Sequence, residues 1–253
     1  MLLSCLEKED CIDEIHFWEN TKDKEDLEFI RECEHSIDKA KIIKINARYG
    51  RERHERVSLF FHFYAKGFDD NTVFLKIDDD VIWMEEGTIE SIAKFTIDNP
   101  QYVIVQANVI NSPMIDHLHY RLGIYPDYKD FITWDESGVG WHDAELAELK
   151  HCVLLKNIEN SNIDKYRFSR WECHGERVSI NLICWNHNSF RYLDIDLGGD
   201  EHDLTVRLPG KYGRKTCIFG EKIASHLAFY KQIENGFNED GILTLYEEMY
   251  SCK

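Results

Sequence analysis

Apolar positions in the first half of the chain follow two alternating spacings. Runs rich in β-branched and aromatic residues, typical of strands, lie at 12–18, 41–45, 72–78 and 102–106. Apolar residues at helical spacing, with charges between them, lie at 25–33, 52–65 and 86–98. This β-α-β-α-β order predicts an α/β fold with a mostly parallel central sheet flanked by helices.

The pattern becomes irregular after residue 107. This half is rich in aromatic residues, His, Asn and Gly. Residues 204–208 and 216–219 fit either short strands or turns, and helical spacing predicts a closing helix over 239–250. Since no Pro, Gly or Ser linker separates the halves, we expect residues 1–253 to form a single domain.

Three carboxylates, Asp78, Asp79 and Asp80, follow the run at 72–77. The run reads as a buried strand, and charges inside such a strand would carry a large desolvation cost. They therefore belong at the carboxyl end of the strand, where open α/β sheets bind ligands. Since crowded carboxylates repel each other, the triplet predicts a site for a divalent cation that holds a phosphate.

Composition narrows the classes of function. The net charge of −17 argues against a nucleic-acid binder, and a 43% hydrophobic content supports a sizeable core. The sequence has no apolar run of about 18 residues, which predicts no membrane span. Eight cysteines without CxxC spacing read as free thiols in a reducing compartment, so we expect a cytoplasmic protein.

The acidic triplet and the loop at 68–71 before it resemble the DxD motif of glycosyltransferases with the GT-A fold. The resemblance covers most of the chain. It is to a group of such enzymes from fungi, bacteria and large viruses, which includes enzymes that decorate the capsid glycans of chloroviruses. The other matching stretches lie at 12–21, 98–100, 106–111, 177–181, 199–201, 204–205 and 224–230. Each stretch is short, so their shared order carries the resemblance.

The resemblance implies a GT-A-like, metal-dependent glycosyltransferase, located in the host cytoplasm if the protein is viral. It implies transfer from a nucleoside diphosphate sugar, commonly a UDP-sugar such as UDP-xylose, to an oligosaccharide or glycoprotein acceptor. The implied cofactor is Mn²⁺ or Mg²⁺, which stabilises charge on the departing diphosphate. Residues 1–107 would then bind the nucleotide sugar, and residues 108–253 the acceptor.

One feature departs from the family pattern. GT-A domains usually open with a strand that contacts the nucleobase, followed by a helix. We expect this chain to begin inside that helix, so that either the strand is absent or the sequence starts late. The resemblance therefore says least about how the nucleobase is bound.

The predicted metal ligands come from both ends of the chain. We expect Asp80 to bind the metal directly and Asp78 to bind the ribose or a metal-bound water, because alternate residues of an extended segment face the same side. Asp79 points to another side, so it is a weaker candidate for binding the nucleotide-sugar donor. His226 lies in an apolar stretch, which fits a core residue, but a late histidine can ligate the metal in the family; both interpretations stay open.

The segment 194–203 contains two glycines flanked by carboxylates. Sugar transfer with inversion needs a base that takes the proton of the acceptor hydroxyl. We expect Asp200 to be this base, with Glu201 and Asp203 as alternatives. An ordinary acidic turn is the other interpretation.

Basic and aromatic residues complete the candidate site. Diphosphate ligands are predicted at Arg48, Arg51, Arg53 and Arg56 and in a later loop at Lys211, Arg214 and Lys215, although solvated surface charges would look the same. Candidates for packing against a sugar, or for the core, are Trp134, Trp141, Trp171, Trp185 and Tyr120. Further lining candidates are Asn108, Asn111, His117 and His119.

Two other classes of function stay open. A metal-dependent nucleotidyl- or phosphotransferase also uses carboxylates at a strand end, although no P-loop motif is present. A carbohydrate-binding relative without catalytic activity would keep the same residues.

Overall fold

The computed structural model describes residues 6, 9–44, 60–125, 139–190 and 200–251. The strands in this part of the chain are β1 (Ile15–Glu19), β2 (Ala40–Lys44), β3 (Val73–Ile77), β4 (Val81–Met84), β5 (Tyr102–Ile110), β6 (Arg170–Cys173), β7 (Leu182–Asn186) and β8 (Lys215–His226). The longer α-helices are α1 (Lys24–Ser36), α2 (Thr88–Asp98), α3 (Pro113–Arg121), α4 (Ala144–Glu159) and, near the C-terminus, the last helix, Glu239–Ser251.

Short helical turns connect these elements. The α-helical ones are α5 (His187–Phe190), α6 (Asp200–His202), α7 (Leu208–Lys211) and α8 (Tyr230–Glu234), so that Glu239–Ser251 is α9. Two 3₁₀ turns lie at Val139–Trp141 and Ile163–Tyr166, and a π-helical turn lies at Asp203–Arg207.

Strands β1 and β2 form a separate two-stranded parallel sheet, joined by α1. Asp23 begins α1, since its side chain accepts a hydrogen bond from the Glu25 backbone N–H at 2.8 Å. Cys33 of α1 packs with Ile37 and Ala40 against the strands. The strands predicted at 12–18 and 41–45 and the helix predicted at 25–33 are confirmed, with shifted ends.

The main sheet has the strand order β3-β7-β5-β8-β4, and β6 also pairs with β8. Strands β3, β5 and β8 run in one direction, while β4, β6 and β7 run in the other. The prediction of a mostly parallel sheet is therefore wrong: the protein is α/β with a mixed sheet flanked by helices. The first-half strand β4 and the second-half strands β6 and β7, none of them anticipated by the periodicity, pair antiparallel with their neighbours, whereas the predicted strands β3 and β5 are parallel.

Strand β5 is the centre of the core, and all nine of its residues are buried. Val105, Ala107 and Val109 face a cluster that includes Ile92 of α2, whereas Ile110 faces the cluster formed with α4 and α9. This alternation covers the sheet on both faces.

The two stretches of the second half that fit either strands or turns differ in the structure. Residues 216–219 belong to the long strand β8, whereas residues 204–208 are helical. Leu204 and Leu208 are four positions apart and both fully buried, which is helical spacing. The helices predicted at 86–98 and 239–250 are confirmed, and the one at 52–65 can be followed only over its described part, where residues 60–64 are helical.

Among the described residues, no helix combines the length and the apolar character needed to cross a membrane. The division of the chain into a donor half and an acceptor half stays a prediction.

Candidate functional site

The carboxyl ends of the three parallel strands β3, β5 and β8 lie at the same end of the main sheet. The acidic triplet follows β3, Asn111 follows β5, and His226 is the last residue of β8. This is the end at which open α/β sheets place their ligands. The fold thus brings the triplet together with residues from the last quarter of the chain.

The triplet forms a turn that crosses this end of the sheet. The Val81 N–H donates to the Asp78 carbonyl at 3.1 Å, which closes the turn. The Asp78 N–H donates to the carbonyl of Asn181, next to β7, and the Leu227 N–H, after β8, donates to the Asp80 carbonyl, both at 2.8 Å. Since β5 lies between β7 and β8, backbone hydrogen bonds hold the turn over the end of β5.

Asp80 and His226 are in direct contact. His226 Nε2 lies 3.1 Å from Asp80 Oδ2, and the histidine is only 3% exposed. Asp80 Oδ1 and His226 Nδ1 are buried atoms without a hydrogen-bond partner. Buried polar atoms are rarely left unpaired, so this pair is suited to a further ligand.

The Asp78 carboxylate has a different partner from that of Asp80. Its carboxylate forms an ion pair with Lys76, whose ammonium also donates to the Ile180 carbonyl at 2.9 Å. Burial raises the pKa of the Asp78 carboxyl, and Lys76 offsets part of that rise. Asp79 between them is exposed.

The predicted set of three metal ligands is not assembled. Over the ranges that the structure covers, no three His, Cys, Asp or Glu side chains are grouped so that they could hold a metal ion. Asp80 and His226 form a pair, while Asp78 pairs with the lysine two residues before it on the same side of the strand.

A cavity of about 340 Å³ lies next to this pair. Its lining residues are Trp141, His142, Arg177, Phe229, Tyr230 and Lys231. The Phe229 ring lies 4.5 Å from the His226 ring and 4.4 Å from the Trp141 ring, measured between centroids. Phe229 therefore forms the wall between the cavity and the carboxylate–histidine pair.

Glu201 reaches the same cavity through Arg177. Arg177 Nε donates to Glu201 Oε1 at 2.6 Å, and the guanidinium lies 5.7 Å from the centroid of the Trp141 ring. Asp203, in contrast, pairs with Arg207 on its own helical turn. Asp200 begins α6, and its side chain lies outside the described part of the chain.

A buried amide cluster fixes the turn that carries Phe229. Gln232 of α8 accepts a hydrogen bond from the Phe229 N–H and donates to the carbonyl of Gly140, both at 2.8 Å. It also exchanges hydrogen bonds with Asn111, at 2.9 and 3.0 Å. Asn111 in turn accepts from Lys150 at 3.2 Å, so the lining prediction for Asn111 becomes a positioning role.

The later basic loop lies at the other end of the sheet. Lys215 begins β8 and pairs with Glu172 of β6, whereas His226 ends β8. The part of β5 paired with β8 spans eight residue steps, or roughly 26 Å at about 3.3 Å per residue. Arg214 contacts the Pro100 carbonyl, and Lys211 packs over the Tyr212 ring. The structure does not bring this loop to the carboxylates.

The remaining candidates separate into core and site residues. Trp185 is buried in the aromatic core, Trp171 and Tyr120 pack against other core clusters, and Trp141 lines the cavity. His117 lies on α3. Residues Arg48, Arg51, Arg53, Arg56 and Trp134 lie outside the described ranges.

Asn108 and His119 are fully buried and pair with each other. His119 Nε2 lies 2.8 Å from Asn108 Oδ1, while the Asn108 amide donates to the carbonyls of Tyr166 and Gly220. Burial lowers the pKa of His119 to about 3, so its ring is neutral. Both residues stabilise the core and do not line the cavity.

Sequence reasoning did not single out Arg177, Phe229, Tyr230, Lys231 or His142. Arg177 belongs to a stretch that resembles the glycosyltransferase group, as do Phe229 and Tyr230. The signal was therefore present in the motif order. Their convergence on one cavity, however, depends on contacts between distant segments.

Comparison of the chain with protein-family models, with curated proteins and with solved structures finds no match. The proposals below therefore depend on the geometry and on the resemblance of the motifs.

Proposed function

We propose that the protein is a metal-dependent glycosyltransferase of GT-A type that uses a nucleoside diphosphate sugar, in particular a UDP-sugar. One observation carries the proposal: the half-buried Asp80–His226 pair has unpartnered polar atoms and adjoins an aromatic cavity. The pair suits a cation, and the cavity suits a sugar.

Asp80 and His226 fit a divalent cation by their chemistry. A carboxylate and a neutral imidazole together suit Mn²⁺, whereas Mg²⁺ prefers oxygen ligands alone. The ion, when bound, would supply Lewis-acid stabilisation of the departing diphosphate. Asp80 lies on the triplet turn and His226 ends β8, and backbone hydrogen bonds hold both segments in place.

Asp78 would contact the ribose or a water molecule, because Lys76 already occupies its carboxylate. The carboxylates that follow residue 199 would take the proton of the acceptor hydroxyl, with Asp200 as the proposed base. Glu201 is the alternative, since its ion pair with Arg177 places it at the cavity wall.

The aromatic cavity favours sugar transfer over phosphoryl transfer. Phosphoryl transfer depends on cations clustered around the phosphate, whereas half of the residues that line this cavity are aromatic, and its Arg177 and Lys231 are paired with carboxylates. A carbohydrate-binding protein without catalysis would retain the cavity but would not need a cation beside it.

The test is calorimetry of UDP binding with and without Mn²⁺, for wild type and for Asp80→Asn. We expect Mn²⁺-dependent binding by wild type and a loss of at least about tenfold in affinity, or ~1.4 kcal/mol, in the variant. Asp98→Asn is the matched control, because it makes the same charge change at an exposed position at the end of α2. Equal Mn²⁺-dependent affinity for wild type and Asp80→Asn would remove the metal role of Asp80.

A further inference from the structure

The cavity beside His226 is lined by side chains that the binding of a cation would not require. Three aromatic side chains, Trp141, Phe229 and Tyr230, form its apolar surface. Tyr230 is 67% exposed, so one of these rings is open to solvent beside the cavity. An exposed aromatic ring at a concave site favours ligands that have an apolar face, as sugar rings have.

The two permanently charged side chains that line the cavity, Arg177 and Lys231, each pair with a carboxylate that is not part of the lining. Arg177 pairs with Glu201 at 2.6 Å, and Lys231 pairs with Glu234 at 2.5 Å. The positive charges of this wall are therefore offset, and the chain as a whole carries −17. Such a wall offers hydrogen-bond donors and acceptors to hydroxyl groups but gives little electrostatic attraction to an anion.

The size and position of the cavity restrict its occupant further. A volume of about 340 Å³ lies near the lower end of the range for small-molecule sites, ~300–1,000 Å³. Phe229 contacts both Trp141 and His226, so an occupant lies one aromatic ring away from the carboxylate–histidine pair.

We propose that this cavity is the acceptor subsite and binds a neutral sugar residue, in preference to a uronic acid or a phosphorylated sugar. Tyr230 and Trp141 pack against the C–H face of the sugar, and the Arg177–Glu201 pair bonds with its hydroxyl groups. The acceptor role rests on the proposed function, whereas binding of the neutral sugar itself needs neither metal nor donor.

The test is saturation-transfer NMR with neutral methyl glycosides and with methyl glucuronide, in the absence of metal and donor. We expect neutral glycosides to bind wild type, and Tyr230→Ala to weaken this binding about five- to tenfold through loss of one aromatic contact. Tyr212→Ala is the matched control, because a lysine also lies 5.3 Å from that ring, at the other end of β8. Arg177→Lys keeps the charge but removes the planar donor group, and should weaken binding similarly.

Equal binding by wild type and Tyr230→Ala, or stronger binding of the glucuronide, would overturn the assignment. UDP calorimetry with Mn²⁺ on the same samples separates the two proposals. Normal UDP binding without glycoside binding would refute only the subsite. Glycoside binding without any Mn²⁺-dependent UDP binding would refute the glycosyltransferase and, with it, the acceptor role of the cavity.

Discussion

Asp80 and His226 are separated by 146 positions in the chain, yet their side chains lie 3.1 Å apart. The contact arises because β4 pairs antiparallel with β8, which places Val81 opposite His226. Asp78 and Asp80 are partly buried and Asp79 is exposed, but the triplet is a turn closed by the Asp78 carbonyl, so this pattern does not come from the alternation of an extended strand. Lys76 and Asp78 lie on the same side of the end of β3, which accounts for their ion pair.

The base assignment makes a prediction at single residues. We expect Asp200→Asn to retain Mn²⁺-dependent UDP binding but to lose about 10²- to 10⁴-fold in transfer rate, since a base contributes about this much. Glu201→Gln should mainly raise the KM for the acceptor, because it weakens the ion pair with Arg177 at the cavity wall. Steady-state kinetics of both variants, with the exposed Asp98→Asn as a carboxylate control, provides the measurement. A rate loss confined to Glu201→Gln would transfer the base role to that residue.

His226 could be proposed from its sequence context, but its neighbours could not. A histidine in an apolar stretch is consistent with a core residue or with a ligand, and the structure adds that a carboxylate lies beside it. The predicted lining residues Asn108 and His119 were placed by polarity alone. In the structure they are hydrogen-bonded to each other in the core, which the sequence has no means of showing.

At the scale of elements, α8 is a short helix with a disproportionate role in the site. Its residue Gln232 bonds to the Phe229 backbone and to the carbonyl of Gly140, beside Trp141. Two aromatic residues of the cavity are thus held by one buried amide. Asn111, its other partner, has a φ of 62°, which ends β5 in a left-handed conformation that asparagine tolerates.

Replacement of Gln232 therefore tests whether α8 positions the cavity. We expect Gln232→Leu to lower the free energy of unfolding by about 2–3 kcal/mol, because it removes the hydrogen-bond partners of the Phe229 N–H and the Gly140 carbonyl. Urea unfolding measures this, and Gln101→Leu at an exposed position should change it by less than about 0.5 kcal/mol. A similarly small change in Gln232→Leu would contradict the positioning role.

Strong periodicity predicted elements well, and its absence marked the errors. Helices α1, α2 and α9 and strands β1, β2, β3 and β5 were located from apolar spacing. The stretch at 204–208 was undecided because five residues show too little of either period to distinguish a strand from a turn. Its helical form depends on the burial of Leu204 and Leu208 against the aromatic core, which is a tertiary effect.

In the molecule as a whole, strands from the first and second halves of the chain alternate in the sheet, and the sheet is mixed. Strand β7 lies between β3 and β5, and β8 lies between β5 and β4, so strands close in sequence are separated in space. Apolar spacing shows where a strand is but not its neighbours, so the α/β class was predictable and the strand directions were not. The net charge of −17 is also a property of the whole chain. Because this charge repels anions, a bound phosphate would depend on cations or basic residues close to it.

Two buried histidines predict that the folded protein loses stability in acid. Burial lowers the pKa of His119 to about 3 and that of His151 to about 4, against an ordinary value of 6.5. The unfolded chain therefore takes up these protons first, and stability is lost as pH falls below 6.5, by up to about 1.4 kcal/mol per pH unit for each histidine. Urea unfolding between pH 7 and pH 5 measures the slope.

Imidazole NMR gives a direct check on the same two rings. Both should remain neutral at pH 5 in the folded protein, with the exposed His142 as an internal reference. Protonation of either buried ring near pH 6.5 would contradict the prediction.

The irregularity in β8 has a consequence for how the chain can change in length. Ala107 and Asn108 are adjacent in β5, but their partners in β8 are Phe219 and Ile223, so residues 220–222 loop out of the ladder. Gly220 begins this loop because a Cβ there would lie 2.2 Å from the Phe168 carbonyl oxygen. Insertions or deletions at 221–222 would be absorbed by the loop, whereas one added residue after Ile223 would present a different side chain to Asp80. The pairing of His226 with Asp80 is thus unaffected by changes of length at 221–222 but sensitive to every change of length in the last four positions of the strand.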